Sequence, residues 1–94
     1  MKVLKIEGKN KEHRVFIYAL STCVWCNRTK KFLKDNGIEY EYVDVDLCDK
    51  DDQRKIRSDI VRRGGNAIYP TLIIDDKILI TGFQEDRIKE VLKI

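Results

Sequence analysis

Two cysteines three positions apart, Cys23 and Cys26 in the run Ser21-Thr22-Cys23-Val24-Trp25-Cys26, are the residues here best suited to chemistry. They stand where an apolar, β-branched run gives way to a helical pattern. At the start of a helix, positions i and i+3 share a face, so two sulfurs placed there can join in a disulfide without moving the backbone. The helix N-terminus adds unpaired N–H groups and the positive end of a dipole, which favour a thiolate at the leading cysteine. Cys23 is therefore the expected attacking sulfur. Cys26, one turn further in and more shielded, is the expected resolving partner. The competing chemistry for such a pair is zinc ligation, which needs four ligands. Only Cys48 and His13 remain to supply them. His13 precedes the apolar run and Cys23 follows it, and a strand of that length at about 3.3 Å per residue holds their ends about 20 Å apart. No single-chain metal site is expected, and His13 reads as a loop residue.

The elements that must position this pair lie on both sides of it. Arg14-Val15-Phe16-Ile17-Tyr18-Ala19-Leu20 is almost continuously apolar, as a central strand covered on both faces would be. Ser21 or Thr22 is then expected to cap a helix to about Asn36, stopped by Gly37, with Cys26, Thr29, Phe32 and Leu33 as its core stripe. Glu39–Val45 alternates and reads as a second strand, completing a right-handed parallel βαβ unit. Asp49 can cap a second helix to about Arg63 that buries Ile56, Ile60 and Val61, ended by Gly64-Gly65-Asn66. Thr71–Ile74, a turn at Asp75-Asp76 and Lys77–Thr81 read as a hairpin. A last helix from about Gln84 buries Ile88, Val91 and Leu92. Val3, Leu4 and Ile6 suggest one further short strand at the N-terminus.

Composition sets the outer bounds. With 94 residues, 43% of them hydrophobic and 37% charged, residues 1–94 are expected to be one domain with a single modest core. No apolar run approaches the roughly 18 residues of a membrane span, and the alternating Met1–Glu7 segment does not resemble a signal peptide. Three cysteines, an odd number, argue for reactive thiols in a reducing, cytoplasmic setting rather than for a secreted disulfide framework. The formal charge of +3 is spread among interleaved acids and bases, so neither nucleic acid nor membrane is an expected partner. Arg54, Lys55, Arg57, Arg62 and Arg63 read first as a solvated helix face, and secondarily as cations that could meet an acidic substrate.

A Cys-x-x-Cys at the strand-to-helix step of a βαβ unit, followed by Tyr69-Pro70-Thr71 at the start of a hairpin, resembles the thioredoxin fold, and within it the glutaredoxin family. The resemblance spans about residues 14–94. It implies an α/β fold of order βαβαββα with the Arg14 strand central, flanked by Glu39–Val45 in parallel and Thr71–Ile74 antiparallel. The N-terminal strand is then left to the edge beyond Glu39–Val45. It also implies thiol–disulfide exchange without a bound cofactor, the electrons coming from a disulfide reductase, glutathione or another small thiol, and disulfide-containing proteins as substrates of a monomer. Pro70 becomes a cis-proline, with the Tyr69 N–H and C=O open to a substrate chain. Trp25, Tyr69, Pro70, Thr71, Gly82 and Phe83 become the substrate-binding residues. Thr81-Gly82-Phe83 followed by Asp86 is closer to the NrdH-type redoxins than to the Gly-Gly of glutathione users. Two departures from the glutaredoxin pattern point the same way: Leu20 stands where the family has a lysine, and Val24-Trp25 replaces Pro-Tyr. The alternatives are a glutathione-dependent glutaredoxin, with Arg54, Lys55 or Arg57 replacing the missing cation, or a carrier holding an iron–sulfur cluster between two protomers. Cys48 reads by default as a small, partly buried hydrophobe. Its place just after the second strand also puts it at the same sheet edge as Cys23, within reach of a third redox role.

Overall fold

Along the central strand, Val15, Ile17 and Ala19 are buried on one face and Tyr18 on the other, which is why that run tolerates almost no polar residue. The computed structural model describes residues 1–94. It orders them as β1 (Leu4–Ile6), β2 (Val15–Ala19), α1 (Val24–Asp35), β3 (Tyr40–Asp44), a single 3₁₀ turn at Val45–Leu47, α2 (Lys50–Arg62), β4 (Thr71–Ile74), β5 (Ile78–Thr81) and α3 (Glu85–Leu92).

The sheet order is β1-β3-β2-β4-β5. β2 runs parallel to β3, with Ile17 opposite Tyr42, and antiparallel to β4, with Ile17 opposite Leu72. β1 takes the outer edge beyond β3, as expected from the sequence, and runs antiparallel to it. Because alternate residues point to opposite faces, the strands feed two cores. Ile17, Tyr40, Leu72 and Ile80 meet Leu33 of α1 and Ile88 of α3 on one side, and Tyr18, Val43 and Ile73 meet Ile56 and Ile60 of α2 on the other. Asp75 and Asp76 reverse the hairpin with positive φ at both, the backbone hand such a turn favours.

Element boundaries and side-chain burial differ from the sequence reading in places. Helix α1 is capped by Cys23 itself rather than by Ser21 or Thr22, because the Cys23 N–H closes a turn onto the Leu20 carbonyl and holds those two residues outside the helix. Val61 is exposed, not buried: it lies five residues from Ile56, off the i, i+4 line that Ile56 and Ile60 occupy. The Glu39–Val45 strand is shorter, since Val45 already begins the 3₁₀ turn while still packing under α2. Phe32 and Val91 are half-buried beside the core rather than within it.

Candidate active site

As the N-cap of α1, Cys23 has an extended backbone, φ −83° and ψ 120°, and its Sγ accepts the Cys26 N–H at 3.2 Å. A sulfur thus takes the place of the usual capping oxygen, receiving one of the orphan donors of the first turn. The loop that presents it is anchored from the 3₁₀ turn after β3: Ser21 donates its backbone N–H at 2.8 Å and its hydroxyl to the Asp46 carboxylate. Those bonds hold the Asp46 carboxyl below the usual carboxylate range. Cys26 is fully buried. Burial, and then its contact with Cys23, pushes the Cys26 thiol up to about 12. The two sulfurs therefore differ in the way that the sequence suggests, one half-exposed at a helix end and one enclosed beneath it.

Across from Cys23 lies the segment before β4. The Tyr69–Pro70 peptide is cis, and the Cys23 thiol is 4.0 Å from the Tyr69 carbonyl oxygen, toward which it donates. The Tyr69 N–H has no intramolecular acceptor. Thr71 is buried with its hydroxyl on the Ile68 carbonyl at 2.6 Å. The Gly82 N–H reaches the Pro70 carbonyl at 2.7 Å, and Gly82 has φ +79°, a conformation a side chain would strain. All the residues singled out for substrate binding thus border Cys23 or the segment facing it, Trp25 and Phe83 included, whose ring centroids are 6.5 Å apart.

Two kinds of surface flank the dithiol. One is apolar: Val24, Trp25 and Ile68 are each more than half exposed, at 63%, 55% and 52%, with the Arg28 guanidinium 4.9 Å from the Trp25 ring centre. Ile68 was not foreseen, since nothing in its sequence context separates an exposed isoleucine from a core one. The other surface is a cleft of about 610 Å³ between Leu20, Tyr69 and the start of α2, bordered by Lys50, Arg54 and Arg57 and, on the loop side, by the Asp46 carboxylate that Ser21 holds. Arg54 is paired with Asp51, whereas Lys50 and Arg57 have no salt-bridge partner. Burial raises the Tyr69 phenol and the charge of Arg57 opposes it, so this guanidinium acts on the cleft wall.

Lys30 was also missed. Its ammonium is 3.1 Å from Asp44 Oδ1 and 4.0 Å from the Tyr42 ring centre, with both partners of the ion pair largely buried. The i, i+4 spacing from Cys26 was its one sequence signal.

Cys48 and His13 stay apart from the dithiol. Cys48 packs on the α2 side of the sheet, its thiol directed at the Asp44 carbonyl at 3.6 Å, while Cys23 and Cys26 belong to the opposite core. His13 lies 2.8 Å from Asp75 Oδ2. No three His, Cys, Asp or Glu side chains converge on a point where they could hold a metal.

A dithiol split between a helix N-cap and the buried position three residues on, facing a cis-proline segment of a mixed sheet, defines the thioredoxin-fold class of thiol proteins. Within that class, a sequence model of the Glutaredoxin family matches residues 15–79. The chain belongs to the glutaredoxin family, whose members are thiol–disulfide oxidoreductases. It is 31% identical over 77 residues to an uncharacterized glutaredoxin-like 8.6 kDa protein of a Clostridium pasteurianum rubredoxin operon, covering 82% of this chain and 95% of that one. It is 30% identical over 77 residues to the glutaredoxin-like protein NrdH of Salmonella typhimurium, covering 82% and 86%. The crystal structure of a glutaredoxin from Methanosarcina mazei superposes with a TM-score of 0.86 at 35% identity, over 100% of this chain and 90% of that one.

Proposed function

We propose that this chain reduces disulfides of other proteins through Cys23 and Cys26 and is itself re-reduced by a protein reductase in preference to glutathione. In the first step the Cys23 thiolate attacks one substrate sulfur. The substrate disulfide breaks, a mixed disulfide forms, and the other substrate sulfur leaves as a thiolate that takes a proton from water. In the second, Cys26 gives up its proton and attacks Cys23. The mixed disulfide breaks, the Cys23–Cys26 bond forms and the remaining substrate sulfur leaves reduced. No bound cofactor enters either step. The observation that carries this reading is the half-exposed Cys23 sulfur at the N-cap of α1, 4.0 Å from the backbone of Tyr69. The unpaired Tyr69 N–H beside it offers a substrate chain a donor.

Preference for a protein donor rests on the exposed Val24, Trp25 and Ile68 around the sulfur and on Leu20 where the family pattern has a lysine. Exposed aromatic and aliphatic anchors suit a protein surface better than a charged tripeptide. A specific observation favours a second reading: the unpaired Lys50 and Arg57 border the cleft beside Tyr69 and could bind the carboxylates of glutathione or another anionic thiol. Steady-state turnover with each donor separates them. The first reading expects fast turnover with a thioredoxin-reductase-type flavoprotein and slow turnover with glutathione and its reductase. Efficient glutathione turnover that collapses in Arg57→Ala would establish the second. Visible absorbance after anaerobic purification would favour an iron–sulfur carrier instead. No helix is long and apolar enough to cross a membrane, and since the cycle needs surroundings that keep thiols reduced, we assign it to the cytoplasm.

A further inference from the structure

We propose that Lys30 is a positioning residue for the second half of the exchange, its fixed ammonium stabilising the Cys26 thiolate that attacks the Cys23–substrate disulfide. The inference rests on the two-step reading above. Cys26 is fully buried, so removing its proton places a negative charge where water cannot solvate it. Lys30 stands at i+4 on the same helix, on the face of α1 that carries the buried Cys26, Thr29 and Leu33. Its side chain is only 16% exposed, and it is held from two directions, by Asp44 Oδ1 at 3.1 Å and by the Tyr42 ring at 4.0 Å. A cation fixed one helical turn from a buried group and itself largely out of water acts through little screening solvent.

The ionisable groups around Cys26 are few. Its own helix and cap contribute Cys23 and Lys30. The end of β3 contributes Asp44, which reaches Cys26 through Lys30, and the turn after it contributes Asp46, bound to Ser21. The segment before β4 contributes Tyr69. Burial and Cys23 raise the Cys26 thiol, and the charge of Lys30 acts in the opposite direction. Lys30 is the one cation among these groups, in the free dithiol and in the mixed disulfide alike. The step balances without another reactant: the Cys26 proton passes to water, the Cys26 electron pair forms the Cys23–Cys26 bond, and the electrons of the broken bond leave on the substrate sulfur.

Single-turnover reaction with a neutral chromogenic disulfide, 4,4′-dithiodipyridine, tests this directly when every variant also carries Cys48→Ser to silence the third free thiol, since one thiopyridone is then released by Cys23 and a second by Cys26. Lys30→Met should leave the first phase unchanged. It should displace the pH dependence of the second phase upward by about one unit. A tenfold smaller thiolate fraction, partly offset by the greater nucleophilicity of a more basic sulfur, makes that phase about threefold slower at neutral pH. Lys30→Arg should restore both. Because Lys30→Met leaves Asp44 unpaired, Lys30→Gln combined with Asp44→Asn provides a neutral pair, and its second phase should still be displaced upward. Equal slowing of both phases, or an unmoved second-phase profile in either the single or the paired variant, would overturn the proposal.

Discussion

One turn of helix separates a partly buried sulfur at the helix cap from a fully buried one. The sequence shows that two thiols share a face, but it does not show that Cys23 is the cap, because Ser21 and Thr22 are the better capping residues by type. Ser21 is engaged elsewhere, with both its N–H and its hydroxyl on Asp46, a partner 25 residues away that local pattern does not reveal. Trp25 was legible through the family resemblance, which implies an exposed first turn for the residue before the second cysteine, and it is more than half exposed. Trp25→Ala should raise KM for a protein disulfide about fivefold, as expected for loss of an interface aromatic. It should leave the reduction of a small disulfide unchanged and alter stability by less than about 0.5 kcal/mol. Equal losses on both substrates would show that Trp25 supports the site rather than a partner.

Elements are tied together away from the dithiol by polar side chains that periodicity does not reveal. Asp59 of α2 accepts from the Tyr18 hydroxyl of β2 at 2.8 Å and pairs with Arg62 and Arg63, and Arg63 continues to Asp76 in the hairpin turn. Burial works against ionisation of Asp59, but the bonds from Tyr18 and Arg62 and the charge of Arg63 outweigh it and lower its pKa. A carboxyl depressed in the folded state contributes stability above its unfolded pKa of about 4, and that contribution is lost as pH falls through the lower, folded value. Asp59→Asn should therefore cost about 2 kcal/mol at neutral pH. In urea titrations the gap to wild type should close below about pH 4. A gap constant from neutral to acid pH would contradict this.

The β1 edge was legible from strand order, but what seats it was not. A Cβ on Gly8 would lie 2.5 Å from the Gly37 carbonyl oxygen and 2.6 Å from the Glu39 nitrogen, both backbone atoms. Gly8→Ala should therefore push the N-terminal segment off the α1–β3 connection, at a cost of about 1–3 kcal/mol. Faster amide exchange confined to β1 would confirm it, and unchanged exchange would contradict it.

At the scale of the molecule, the sheet carries a redox pair at the edge where β2 and β3 end, with an apolar rim on one side and a cationic cleft on the other. The strands were legible because each one's burial follows from its pattern, a two-faced β2, an alternating β3 and an apolar hairpin, whereas their order in the sheet came from the glutaredoxin resemblance. The cleft was only half legible, since the basic residues of α2 were visible in sequence but their pairing was not. Arg54, Arg62 and Arg63 are neutralised by neighbours, which leaves Lys50 and Arg57 facing the cleft. If a protein donor is preferred, Arg57→Ala should change turnover with a flavoprotein reductase by less than about twofold, and a larger loss would place the donor in the cleft. The central claim, that Cys23 attacks and Cys26 resolves, is tested most directly by peptide mapping of the adduct that Cys26→Ser forms with a disulfide-containing protein. The account predicts a stable mixed disulfide at Cys23, and no adduct once Cys23→Ser is added; an adduct at Cys48, or none at Cys23, would contradict it.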